Sequence, residues 1–446
     1  MTGHSPVHQA IGTPAVSGGS LQALLHEALG QIGPSERRFL ALVPDDTRKF
    51  PVAVLFQFLH SALKGQADQL DAMIAQGTHS PMPTEAKKAW VFGGDDYPNS
   101  QVFDHAWDDP DALSEIGVLP LHDQLARFGS NAKHAPLLGF DRDMPIRVNS
   151  CLLDYDRLLL VTRVQPHEVA GFAGGAKQIF PGVSGPEMIN LLHAIGSLQT
   201  NRAIHGVMPN PVRALIDDMA ENVPVPITSI CLVIDDHSDV VHGAFVQMNG
   251  WRESVTEAAT LSREVNIEYV PQRVQRLIAT MPRRADGEWL YPDLWTGAKL
   301  VLKTEDAVAD GGELVVLAPD LSSISDAHGA LIREIGYHTY AYFLSQPSTW
   351  QDANATPIAL NGSALVKGEG QMRDGKEVPR IDVRLATAIP PEECARLNLG
   401  YENPSTVAKE VASALPNVVE NDRLVLPGAG SVLWRYKPPS VLGAEN

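Results

Sequence analysis

The stretch "LLLVTRVQPHEVAGFAGGAKQIFPG", residues 158–182, decides how the chain is read. It opens on a short apolar run, Leu158 to Val164, which reads as a strand buried on both faces and then breaks into a polar, glycine-rich loop. Similar runs stand at Phe39 to Val43, Ala72 to Ala75, Ile230 to Ile234 and Leu314 to Ala318. Between them, Val52 to Leu63 and Thr304 to Asp310 read as helices, the second starting at a threonine cap and ending at Gly311 and Gly312. This alternation predicts an α/β fold with parallel strand pairs.

At 446 residues the chain exceeds what one hydrophobic core usually organises. The expected architecture is two α/β domains with the active site in the cleft between them. The segment "NIEYVPQRVQRLIATMPRRADGEW" (266–289) joins two differently patterned halves and places the boundary near 275. The expected domains are therefore 1–275 and 276–437, with 438–446 as a mobile tail and Gly12 to Ser20 as a flexible leader.

Apolar residues make up 44% and charged residues 20%, the proportions of a soluble globular protein. The formal net charge of −18 repels nucleic-acid phosphates and anionic membrane surfaces, and no run of Lys and Arg reverses it, so neither is expected as a partner. Cys151, Cys231 and Cys394 lie far apart with no CxxC pair, which fits a reducing compartment. No apolar run is long enough to span a bilayer, and a cytoplasmic location is expected.

In an open α/β sheet, ligands bind beyond the carboxyl ends of the strands, and the polar clusters of this chain fall at those places. Asp45, Thr47 and Arg48 follow the first strand, His79 the second, and His167 and Lys177 the third. Glycines 171, 174 and 175 would let backbone approach a ligand where Lys177 brings an amine. A phosphate-binding P-loop fails, because it needs Gly where Ala176 stands and Ser or Thr where Gln178 stands; no GxGxxG follows the strand either. Taken singly, His79 and His167 suit surface or capping roles as well as catalysis, and His193, among Leu191, Leu192 and Ile195, suits packing. Two imidazoles at separate strand ends suit acid and base work on the two faces of one stereocentre. Arg48 and Lys299 are suited to a carboxylate or to ordinary ion pairs.

Together, "PDDTR" (44–48), "GTHSPM" (77–82), "HEVAGFAGGAKQIFPG" (167–182) and His193 resemble the nickel-pincer lactate racemase family. "DLWTGAK" (293–299) and "DAHGA" (326–330) resemble its C-terminal half. The resemblance implies a nickel-pincer nucleotide, in which nickel is held by a pyridinium-3-thioamide-5-thiocarboxylic acid mononucleotide joined to Lys177 and supplied by cofactor-synthesis proteins. It implies His193 as the remaining nickel ligand, with Asp45, Thr47, Gly174 and Gly175 near the cofactor. Arg48 and Lys299 would hold the substrate, and Trp295, Thr296 and Trp350 would line its pocket. His79 and His167 would exchange the hydroxyl proton of a 2-hydroxyacid while its C2 hydride moves to and from the cofactor.

Trp295 and Thr296 stand where the family carries tyrosine and glutamine, and Ser80 where it carries arginine. A bulky Trp295 and an apolar Phe172 favour a short aliphatic 2-hydroxyacid such as lactate or 2-hydroxybutyrate. The alternatives are a sugar-acid C2 epimerase with the same cofactor, and a metal-dependent hydrolase in which His79, His167, His193 and an aspartate bind zinc. A non-catalytic carboxylate-binding protein would leave the paired histidines without a purpose.

Overall fold

The computed structural model describes residues 6–12, 15–46, 49–236, 238–284, 286–325, 328–346 and 357–438. Thr47, Arg48 and Trp350 lie outside these, as do residues 439–446 of the expected tail. The chain divides into two compact units: Met1–Ala135, Phe140–Leu192 and Gly206–Asn266 form the first, and Pro136–Gly139, His193–His205 and Ile267–Asn446 the second. The main crossing thus falls at 266/267, ahead of the expected 275, and two short segments of the first half cluster with the second unit.

The first unit is built on a seven-stranded sheet in the order Val7–Ile11, Val241–Gln247, Ile227–Ile234, Arg157–Arg163, Arg38–Val43, Gln69–Ile74 and Val102–Phe103. The last five run parallel, while Val241–Gln247 is antiparallel to both its neighbours. Strands covered on both faces are apolar throughout rather than alternating, and Arg157–Arg163 and Ile227–Ile234 are buried at every position. On one face Phe39, Ala41, Val43, Leu159 and Ile230 pack against the helices Gly18–Leu29 and Val52–Ala62 through Leu25, Leu29, Phe56 and Leu59. The strand Val7–Ile11, which pairs with Val241–Gln247, precedes the expected leader, and the leader's end, Gly18 to Ser20, is the first turn of a helix that Ser17 caps by accepting from Ser20 N–H at 3.1 Å.

The second unit carries a six-stranded sheet, ordered Gly400–Tyr401, Asp382–Thr387, Val308–Ala318, Val274–Thr280, Arg423–Leu426 and Val419–Glu420. All neighbours pair in parallel except the last two strands. The helix expected over Thr304 to Asp310 is not formed. Thr304 ends the helix Leu294–Thr304, where its hydroxyl donates to Leu300 O at 2.5 Å, and Val308–Ala318 is a strand. Gly311 and Gly312 fall where the pairing with Val274–Thr280 loses register, so they mark an irregularity in a strand rather than a helix stop.

Glu305 is fully buried in this unit, beside Glu369, and burial pushes its pKa up to about 7. Asn201 Nδ2 donates to its Oε1 at 2.9 Å. An unfolded Glu305 ionises near its ordinary value, while the folded one keeps its proton to about pH 7. Folding therefore takes up a proton in that window, and stability falls as pH rises through it, by on the order of 3 kcal/mol. Denaturant titrations of Glu305→Gln across the window should show a flatter profile than wild type; parallel profiles would count against a protonated Glu305.

Candidate functional site

In the first unit the chain runs from Arg38–Val43 outward to Gln69–Ile74 on one side, then returns to place Arg157–Arg163 on the other. Such a reversal of strand order opens a crevice beyond the carboxyl ends of the strands. The loops that follow these three adjacent strands carry Asp45, His79, and His167 with Lys177. The loops are tied together: Ala75 N–H donates to Val43 O at 2.8 Å, Gly77 N–H to Gly182 O at 2.9 Å, and Trp90 Nε1 to Pro44 O at 2.9 Å.

His79 Nδ1 lies 2.6 Å from Asp45 Oδ2. A carboxylate accepts, so Nδ1–H donates and the Nε2 lone pair is left for a reactant. The Asp45 side chain is 9% exposed and that of His79 55%, so a buried acid orients an accessible imidazole. Read from sequence, Asp45 stands near the implied cofactor. The helix Val52–Ala62 begins without a side-chain cap, and Asp45 is bonded to the histidine.

His167 sits in a tight antiparallel pair, Pro166–His167 with Gly171–Phe172. Its Nδ1 accepts from Val169 N–H at 3.1 Å and Ala170 N–H at 3.3 Å, so the ring is seated on its own turn. Lys177 follows on the short turn Gly175–Gln178 and is half-buried. The glycines before it serve packing within the protein. A Cβ at Gly174 would come within 2.6 Å of Val164, and one at Gly175, whose φ is +58°, within 2.5 Å of Val255.

A residue that sequence reasoning missed supports this turn. Arg213 is buried and donates through Nη1 to Gly174 O at 3.1 Å and through Nη2 to Phe172 O. Gln178 Nε2 donates to Val161 O at 3.0 Å, pinning the far side of the turn to the strand Arg157–Arg163. An arginine in the apolar stretch "VRALI" was the available signal, since a buried guanidinium needs several acceptors. Phe172, expected at the substrate, is fully buried, with the Arg263 guanidinium 5.3 Å from its ring centroid. Its bulk therefore says nothing of the substrate.

In the second unit, His193 lies half-buried on Pro186–Leu198, a helix that continues past Gly196, and its carbonyl accepts from Ser197 Oγ at 2.6 Å. The segment it opens is held there by Asn201 Nδ2 donating to Leu302 O at 2.6 Å and by Arg202 Nε donating to Glu369 Oε2 at 3.0 Å. Trp295 and Lys299 are one turn apart on Leu294–Thr304 and share a face. Lys299 Nζ lies 5.3 Å from the Tyr291 ring centroid. Thr296 is held by the helix cap, its hydroxyl donating to Asp293 Oδ1 at 2.6 Å. Trp295 packs on His328, ring centroids 4.6 Å apart, and burial lowers the pKa of His328.

Among the described residues no group of three or more His, Cys, Asp or Glu could hold a metal ion. No described helix is long and apolar enough to cross a membrane.

These features define a two-unit α/β protein whose candidate chemistry in the first unit gathers where the strand order reverses. The lactate racemase N-terminal domain model matches residues 20–127 and 130–206. A lactate racemase from Thermoanaerobacterium thermosaccharolyticum is 23% identical over 310 residues, 68% of this chain and 63% of that protein. The match thus spans less than two thirds of the relative's length. A solved protein from Thermotoga maritima aligns with a TM-score of 0.78 at 24% identity, over 96% of this chain and all of that one. The lactate racemase apoprotein from Thermoanaerobacterium thermosaccharolyticum aligns with a TM-score of 0.65 at 18% identity, over 93% and 92%. The likeness to the lactate racemase N-terminal domain thus covers less than half of the chain, and the solved structures share its fold.

Proposed function

We propose that the chain is a 2-hydroxyacid racemase that works with a nickel-pincer nucleotide joined to Lys177. The observation that carries this reading is the Asp45–His79 pair on loops adjoining the Lys177 turn, at the carboxyl ends of neighbouring parallel strands. The donor set suits the group. Lys177 offers a primary amine for the covalent link, on a turn fixed from below by Arg213 and Gln178. His193 offers an imidazole nitrogen, a ligand type that nickel accepts in planar geometry. When bound, the nucleotide supplies reversible hydride chemistry at C2.

The chain's own residues would do the rest. His79, oriented by Asp45, exchanges the proton of the substrate hydroxyl, and His167 attends the same oxygen. Lys299, with Arg48, supplies positive charge for the carboxylate, and Trp295 limits the side chain, which favours lactate or 2-hydroxybutyrate. Trp350 is proposed to line the same pocket. Gly174 and Gly175 contribute backbone beside the cofactor, together with Thr47, and Thr296 stays a cap residue. Cofactor-synthesis proteins would be transient partners. A sugar-acid C2 epimerase is the second reading: His328, packed beside Trp295, would offer a polar ring to a longer substrate.

Intact-mass and peptide mass analysis after co-expression with cofactor-synthesis proteins should find Lys177 modified and nickel retained. His193→Ala should lose nickel while keeping the Lys177 adduct. Active enzyme with an unmodified Lys177 would sink the reading. Assays on enantiomers of lactate, 2-hydroxybutyrate and gluconate separate racemase from epimerase.

A further inference from the structure

Gly362 stands in the middle of the helix Pro357–Lys367, "PIALNGSALVK", in the second unit. Glycine is the poorest helix former after proline, because it loses the most backbone freedom on folding and offers no side chain to pack. The backbone here is ordinary helix, with no left-handed turn that would ask for glycine. The reason for it lies on a neighbouring helix: a Cβ at Gly362 would come within 2.1 Å of Trp295 Cζ2, 2.3 Å of its Cη2 and 2.8 Å of its Cε2. The benzene half of the indole therefore rests where a side chain would otherwise stand.

Trp295 is held from other directions as well. Its backbone N–H donates to Ile324 O at 3.0 Å, next to Leu294 N–H donating to Ser323 O at 3.0 Å, so the start of Leu294–Thr304 is tied to the loop that follows the strand Val308–Ala318. The same loop leads to His328, whose N–H donates to Ser325 Oγ at 3.0 Å and whose ring packs on the indole, centroids 4.6 Å apart. Backbone, His328 and the notch at Gly362 together pin the ring. Trp295 is nevertheless half-buried rather than sealed, so part of it stays accessible, on the helix that carries Lys299 one turn further on.

We propose that Gly362 is a specificity-determining residue: by carrying no side chain it seats the Trp295 indole as a rigid wall, and that wall restricts the enzyme to 2-hydroxyacids with a methyl or ethyl side chain. This rests on the racemase reading above, which gives the accessible side of Trp295 to the substrate. A tryptophan free to change rotamer would fold away from a longer side chain. A ring pinned between His328 and Gly362 cannot, so each added methylene overpacks the pocket. One methylene in a shaped apolar pocket is worth about ten- to two-hundredfold in kcat/KM.

The test is the chain-length profile of holoenzyme whose Lys177 adduct has been confirmed by mass, read as kcat/KM for lactate, 2-hydroxybutyrate, 2-hydroxypentanoate and 2-hydroxyhexanoate. Wild type should fall about tenfold or more at each step past 2-hydroxybutyrate. Gly362→Ala pushes the indole off its seat, and with His328 packed on another side the ring moves toward the substrate, so 2-hydroxybutyrate should fall about tenfold further than lactate. Trp295→Leu removes the wall and should raise the ratio of 2-hydroxyhexanoate to lactate about a hundredfold. With Trp295→Leu in place there is no indole to displace, and adding Gly362→Ala should then shift the profile by less than about twofold. If Gly362→Ala alone does not fold, a double variant that folds still shows that the indole needs the glycine, and a double variant that also fails overturns the inference. An unchanged profile in folded Gly362→Ala, or the same shift with and without Trp295→Leu, overturns it too. Wild-type holoenzyme that interconverts no 2-hydroxyacid enantiomers removes the racemase reading and this inference with it. Active wild type with a flat profile from lactate to 2-hydroxyhexanoate removes the inference alone.

Discussion

Replacing His79 by glutamine is expected to lower kcat for racemisation by about a thousandfold in both directions, with Lys177 modification and nickel content unchanged. The size follows from removing a positioned general base, a loss on the order of 10²–10⁴. Asp45→Asn should follow by about a hundredfold. An asparagine can turn its amide N–H toward Nδ1, which favours the other tautomer and places a proton on the Nε2 that should accept one. In hydrolytic triads, a comparable loss of the orienting carboxylate is severe for this reason. The two effects should not add, because Asp45 acts only through His79. The measurement is steady-state kcat and KM on protein whose Lys177 adduct has been checked by mass. A His79→Gln enzyme that keeps a tenth of the activity would remove His79 from proton transfer. A loss confined to KM after Asp45→Asn would assign Asp45 to binding.

The second large effect is on stability. Gly171 has φ +77°, and a Cβ there would lie 2.0 Å from Val207 O and 2.3 Å from Asn210 Nδ2. Neither can yield easily. Gly206 N–H donates to Gly171 O at 2.9 Å, and Asn210 Nδ2 is bonded to Ala170 O at 3.1 Å and Val207 O at 2.9 Å. Gly171→Ala therefore combines a left-handed backbone penalty with overpacking against backbone, together about 2–5 kcal/mol. Gly65, with φ +86° and nothing within 4 Å of where a methyl group would sit, isolates the first contribution; Gly65→Ala should cost about 1–2 kcal/mol. Urea unfolding with unchanged m-values would read both. Equal midpoint shifts for the two variants would show that the close approach at Gly171 carries no weight. Displacement of this turn should also reduce modification of Lys177 in whatever Gly171→Ala protein folds.

Much of the fold was legible because strands covered on both faces must be apolar at consecutive positions. Phe39 to Val43 and Leu158 to Val164 announce themselves by that run, and the observed strands Arg38–Val43 and Arg157–Arg163 differ by a residue or so at their ends. The reading failed where one local pattern admits two partners. Thr304 followed by acids and a glycine pair looks like a capped helix; pairing with Val274–Thr280 and Asp382–Thr387 makes Val308–Ala318 a strand instead. Phe172 reads as an apolar residue at the substrate, yet it is fully buried in the core.

By itself, the sequence determined the alternating α/β pattern, the three polar loops after apolar strands, and the residue types in them: an amine at Lys177, imidazoles at His79, His167 and His193, and a carboxylate at Asp45. Those are properties of single residues and their near neighbours, which spacing and chemistry suffice to read. Only the tertiary structure decided that the Asp45 and His79 loops are adjacent, that Arg213 supports the Lys177 turn, and that one histidine's Nδ1 meets a carboxylate while the other's meets two amides. Asp45 and His79 are 34 residues apart, and Arg213 and Gly174 are 39. Such contacts arise from sheet order and loop closure, and the side of an imidazole that carries its proton depends on which neighbour those long-range contacts bring to it.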